Sequence, residues 1–117
     1  MKILALLKMS ENVGEPPAAL FEAMDVTIKD IDASVRNLDT NGLVPTADAA
    51  TRISVTDGKV TVLDGPFTES RELVGGYAFF EVDTYAEGVE AARKILQVHV
   101  DHWSTWEGEI EVRQVMG

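Results

Sequence analysis

An α+β sandwich, one β-sheet carrying two crossover helices, is the fold class this sequence predicts, and three observations predict it. Two long stretches repeat their apolar residues at helical spacing. Several short runs alternate, or are continuously apolar, as strands are. The segments follow one another as strand, helix, hairpin, loop, strand, helix, strand. With both helices able to lie on one face of the sheet, that order describes a ferredoxin-like sandwich with an extra β-hairpin.

Each element has its own signal. Lys2 to Met9 is short and almost continuously apolar before the turn-rich "SENVGEPP", the pattern of a central strand covered on both faces. Pro16 and Pro17 suit a helix start, and Leu20, Met24, Ile28, Ile31, Val35 and Leu38 then recur three or four residues apart. A long amphipathic helix is expected there, stopped by Asn41-Gly42. In "RISVTDGKVTVLDG" two alternating β-branched runs flank Asp57-Gly58, the pair favoured by a two-residue type I′ turn. That turn sets Thr56 opposite Lys59, Val55 opposite Val60 and Ile53 opposite Val62, so one side of the ribbon is wholly apolar.

Gly76 to Val82 reads as a strand with Ala78, Phe80 and Val82 on one side and Tyr77, Phe79 and Glu81 on the other. A second helix is expected from about Thr84, with Tyr85, Val89, Ala92, Leu96, Val100 and Trp103 as its apolar stripe. Glu109 to Val115 alternates as a last strand. Two helices on one sheet face leave the other bare. Tyr77 and Phe79 would make that face apolar, so a homodimer packed sheet against sheet is expected.

Composition narrows the function classes. The 117 residues, 45% of them hydrophobic, suit one compact core, so a single domain over 1–117 is expected. Twenty acidic residues against ten basic ones give a net charge of −10, which argues against nucleic acid and anionic membrane surfaces as partners. The absence of cysteine excludes disulfides, thiolate zinc sites and a cysteine nucleophile, and it suits a reducing, cytoplasmic setting. The apolar run Ile3 to Leu7 is broken by Lys8, so neither a signal peptide nor a membrane span is expected. P-loop, GxGxxG and GxSxG motifs are missing, and no cofactor is expected.

The stretch "DGPFTESRELVGGY" concentrates unusual residues: Asp64, Glu69 and Arg71 around Pro66, then Gly75-Gly76 and Tyr77. Two readings compete. In one, the loop is a demanding backbone connection, its carboxylates accept backbone hydrogen bonds, and Thr68 caps a short helical turn ended by Gly75-Gly76. In the other, Asp64, Glu69 and Arg71 rim a pocket floored by Tyr77 and Phe79, where burial would raise a carboxylate pKa and make it a usable base.

Asp64-Gly65-Pro66-Phe67, Glu69 and Gly75-Gly76-Tyr77, preceded by the "DGK" hairpin and followed by "GEIEVRQV", resemble the DGPF branch of the YCII-related proteins over essentially the whole chain. The resemblance implies a ferredoxin-like fold assembling as a dimeric α+β barrel. Related barrels include small-molecule isomerases, lyases and monooxygenases, and some DGPF proteins resemble products encoded beside alternative sigma factors. Shorter relatives are thought to use a His and Asp pair. Here the first helix has no histidine, and His99 and His102 lie near the end of the second.

Two functional expectations follow. The first is a dimeric binder of a small organic molecule with isomerase- or lyase-like proton transfer. Asp64 or Glu69 would be the acid-base group, Arg71 or Arg113 would hold an anionic group, and Phe67, Tyr77, Phe79 and Glu81 would contact the ligand. His99 and His102 are secondary candidates for proton transfer; with only neighbouring carboxylates beside them they lack the third ligand and base of a strong metal motif, so no metal is expected. The second is a non-enzymatic interaction or regulatory protein linked to alternative sigma factor systems.

Overall fold

The apolar run Lys2–Met9 becomes β1, the strand next to the sheet's centre, in a computed structural model that describes residues 1–10, 13–67 and 73–117. It pairs antiparallel with β5 (Leu73–Glu81) on one side and β6 (Gly108–Gln114) on the other. An edge strand, β2 (Arg36–Gly42), pairs antiparallel with β5, so the sheet order is β2-β5-β1-β6. Helices α1 (Ala18–Ser34) and α2 (Tyr85–His102) pack together and cover one face. This α+β arrangement, with two helices on an antiparallel sheet, is consistent with a ferredoxin-like fold.

Strand alternation builds the core. Ile3 and Ala5 of β1, with Ala78 and Phe80 of β5 and Val82 just beyond it, point at the helices and meet Ile31, Ala91, Ala92 and Ile95. Phe80 and Ile3 are wholly buried, each contributing about 1.5–3 kcal/mol by leaving water. Gly88 lets α2 approach β1, because a Cβ there would lie 2.9 Å from Ile3 Cγ1. A second cluster of Leu20, Val98, Trp103 and Trp106 closes the far end of the helical layer.

The expected helix extending to Leu38 is corrected by the structure: α1 ends at Ser34, and Val35 is already extended. The apolar spacing through Leu38 fits a helix, but pairing with β5 satisfies this segment's backbone, and Leu38 still reaches the core from a strand. The second helix spans the expected segment, with Thr84 as its cap, its hydroxyl accepting from Glu87 N at 3.2 Å. Its inward face is rotated from the expected stripe. Gly88, Ala91, Ala92, Ile95, Val98 and His99 are buried, whereas Tyr85, Val89 and Val100 are exposed. Small side chains allow close helix–sheet contact, a gain that hydrophobicity alone does not rank.

The hairpin forms as expected, with β3 (Thr51–Thr56) and β4 (Lys59–Asp64) in the register set by positive-φ Asp57 and Gly58. It makes a separate two-stranded sheet whose residues belong to neither core cluster. Gly75-Gly76 do not end a helical turn: they lie inside β5, where Gly76 faces Gly42 of β2. The expected turn at Thr68 falls outside the described residues.

Candidate functional site

The small residues on the helix side of the sheet leave room that the helices do not fill. Ala5 of β1 and Gly75, Gly76 and Ala78 of β5 contribute to the floor of a cavity of about 540 Å³ between sheet and helices. Leu20, Met24 and Ile28 of α1 form one wall, and Ile95 and His99 of α2, with Trp103 just beyond it, another. Leu43, Val44 and Pro45, directly after β2, stand at its edge, with Leu43 and Val44 exposed. The volume is in the range of small-molecule sites, and the lining is mainly apolar with a few polar groups.

His99 is the buried polar residue among those described, only 6% exposed. Its Nδ1 lies 2.8 Å from the carbonyl oxygen of Ile95, one helical turn earlier. A carbonyl only accepts, so Nδ1 carries the hydrogen and the neutral ring presents a lone pair at Nε2. Trp106 packs against the imidazole, with ring centroids 4.7 Å apart. Burial pushes the His99 pKa below its ordinary value, partly opposed by the bond to Ile95, and so favours the neutral ring. The site therefore holds a fixed tautomer with its basic nitrogen unprotonated, the state a general base requires.

Of the other polar side chains of the lining, Thr40, Asp25, Asn41 and Tyr77 are acceptors or already engaged, while Trp103 carries an indole N–H donor. Thr40 Oγ1 donates to the Tyr77 carbonyl at 2.7 Å. Asp25 brings a carboxylate from the exposed side of α1. Tyr77 borders the cavity, while its hydroxyl donates to Asp39 at 3.1 Å and accepts from Asn41 Nδ2 at 3.2 Å.

Most residues singled out in the sequence lie elsewhere. Asp64 is exposed at the end of β4 and accepts from Thr51 Oγ1 at 3.0 Å. Phe67 lies under the Arg52 guanidinium, 4.0 Å from its carbon, and its amide donates to Thr46 Oγ1. Gly65 comes so close to the Thr46 carbonyl that a Cβ would collide with it, so the DGPF backbone meets the demand for an unusual connection. Glu69 and Arg71 lie outside the described residues. His102 is exposed in the last turn of α2. Among the described residues, no three of His, Asp and Glu gather to hold a metal ion.

Phe79, Glu81, Glu111 and Arg113 share the sheet face turned away from the helices. One row across that face reads Asp39, Phe79, Leu4, Arg113 and the next Asn41, Tyr77, Leu6, Glu111. Glu111 accepts from Lys8 Nζ at 3.0 Å and from Arg113 at 3.3 Å, and these cations, Lys8 first, hold its carboxyl below the usual range. Glu81 accepts from Asn37 at 2.7 Å. Arg113 is thus ion-paired on the open face rather than facing the cavity.

Sequence reasoning placed the binding site on the other side of β5 from this cavity and gave Leu20, Met24, Leu43 and Ala78 no part in it. A usable signal was the run Leu43-Val44-Pro45, apolar where a connecting loop is ordinarily polar. No protein-family model matches the chain, and no curated protein matches it.

Proposed function

We propose that this protein binds a small organic molecule in the cavity between helices and sheet and moves a proton on it, in isomerase- or lyase-like chemistry, with His99 as the base. The observation that carries this reading is the buried His99 ring in the wall of an otherwise largely apolar cavity, its Nδ1 hydrogen committed to Ile95. His99 Nε2 would take a proton from a carbon beside a carbonyl. The imidazolium would return that proton to the enolate oxygen, giving an uncharged enol, to another carbon of a conjugated enolate, or to a group expelled from the β position. A positioned base of this kind is worth about 10²–10⁴ in rate. The DGPF resemblance supports the same class of activity, and the face bearing Leu4, Leu6, Tyr77 and Phe79 supports a dimeric α+β barrel in which a second copy covers it.

The test uses 2-tetralone, an uncharged bicyclic ketone with acidic hydrogens beside the carbonyl. In deuterated buffer the protein should accelerate deuterium uptake into it, and His99→Phe should lower that acceleration by about 10²-fold. Amide resonances of Met24, Leu43 and His99 should shift as the ketone is added. Absence of both exchange and shifts would refute the reading.

A second reading, an interaction or regulatory protein, has one observation in its favour. On the hairpin, Ile53, Val55, Val60 and Val62 form an apolar face and are 68%, 72%, 67% and 64% exposed. The resemblance adds alternative sigma factor systems as the setting for such a partner. A stoichiometric partner lost on Val60→Lys, with the deuterium exchange absent, would favour it.

A further inference from the structure

The polar groups of the cavity select a ligand by what they lack as much as by what they offer. His99 Nε2 is an acceptor because Nδ1 holds the hydrogen. Thr40 Oγ1, its hydrogen already given to the Tyr77 carbonyl, keeps only lone pairs to offer. Asp25 is a third acceptor and carries negative charge. Among the described residues, the lining contains no lysine or arginine, and the chain as a whole carries a net charge of −10. An anion entering this space would lose its hydration, meet no cation of the described lining, and be opposed by the long-range field.

Resting on the cavity reading above, we infer that the tightest-bound form of the ligand is an uncharged, largely apolar molecule that presents an O–H or N–H donor to His99 Nε2, as the enol of a ketone does, and that carboxylates and phosphates are excluded. The apolar body lies against Leu20, Met24, Ile95 and Trp103, and the donor end is turned to the imidazole. An analogue without the donor, a ketone included, binds more weakly because Nε2 is then left dry and unpaired. This specificity is opposite to an arginine-clamped anion.

Three naphthalenes of similar size separate the possibilities by calorimetric titration at pH 7: 2-naphthol, 2-methoxynaphthalene and 2-naphthoate. The first two are uncharged at that pH and the third is ionised. The naphthol is expected to bind tightest, the ether about three- to tenfold weaker for want of one hydrogen bond, and the carboxylate at least about tenfold weaker. His99→Phe should make naphthol and ether equal; should that variant not fold, His99→Gln, which keeps an acceptor oxygen, should preserve a preference for the naphthol. Naphthoate binding as tightly as the naphthol, or an ether equal to the naphthol in the unaltered protein, would overturn the inference while leaving the cavity as a ligand site. Binding by none of the three would overturn the cavity reading itself, and this inference with it.

Discussion

At His99 the helix backbone and the exclusion of water act on the same ring. The Ile95 carbonyl orients it, Trp106 packs on its face, and burial favours the neutral form. Asp25 is the carboxylate that shares the cavity lining with it. Because the folded-state pKa lies below the ordinary value of 6.5, the unfolded chain binds more protons between the two values. Stability from this residue is therefore complete above pH 6.5 and is lost as pH falls through the folded-state pKa. Urea titrations between pH 5 and 8 should show the unaltered protein losing stability relative to His99→Phe on acidification, by at most about 1.4 kcal/mol per pH unit. A difference between the two proteins that is constant with pH would show that the ring is not held neutral. The sequence displayed this histidine beside Val98 and four residues after Ile95, but the distinction from His102 requires knowing which side of α2 faces inward.

Among the elements, the hairpin and β2 are opposite cases. Asp57 and Gly58 specify the turn locally, and the register of β3 and β4 follows residue by residue from it. A two-stranded ribbon outside the core clusters is marginal in water, so the turn carries much of its stability. Gly58 has φ of 75°, where a β-branched residue is disfavoured by roughly 1–2 kcal/mol. Gly58→Val should speed amide exchange at Val55 and Val62 while leaving Phe80 and Ile95 protected, with the melting midpoint moving less than about 2 °C. A midpoint falling as far as for a core truncation would mean that the hairpin is coupled to the sheet. For β2 the local signals mislead: "RNLDTNG" is polar, holds Asn37 at φ 54°, and continues a helical spacing. Its strand conformation comes from β5, whose edge it completes.

Over the whole molecule, both helices lie on one sheet face, and the other presents Leu4, Leu6, Tyr77 and Phe79 among Lys8, Glu81, Glu111 and Arg113. The proposed dimer predicts light-scattering masses of twice the chain mass, and Phe79→Glu, which sets a charge at the middle of that face, should return the monomer without unfolding it. A monomer in the unaltered protein would remove the barrel assembly. The His99 cavity would survive that result, since its described lining comes from one chain. Because the cavity lies on the helix side of the sheet, ligand binding there does not depend on a second copy covering the other face.

What the sequence determined by itself is whatever depends on neighbours in the chain. The apolar run of β1, the proline-led start of α1, the Thr84 cap and the Asp57-Gly58 turn are short-range preferences, and the inward row Ala78, Phe80, Val82 follows from the pleat. Tertiary structure alone decided where α1 stops, which side of α2 is buried and where space remains, because each depends on fitting surfaces brought together from distant segments. A cavity is the misfit between side chains of Ala5, Met24, Ala78 and His99, and no stretch of the chain contains it.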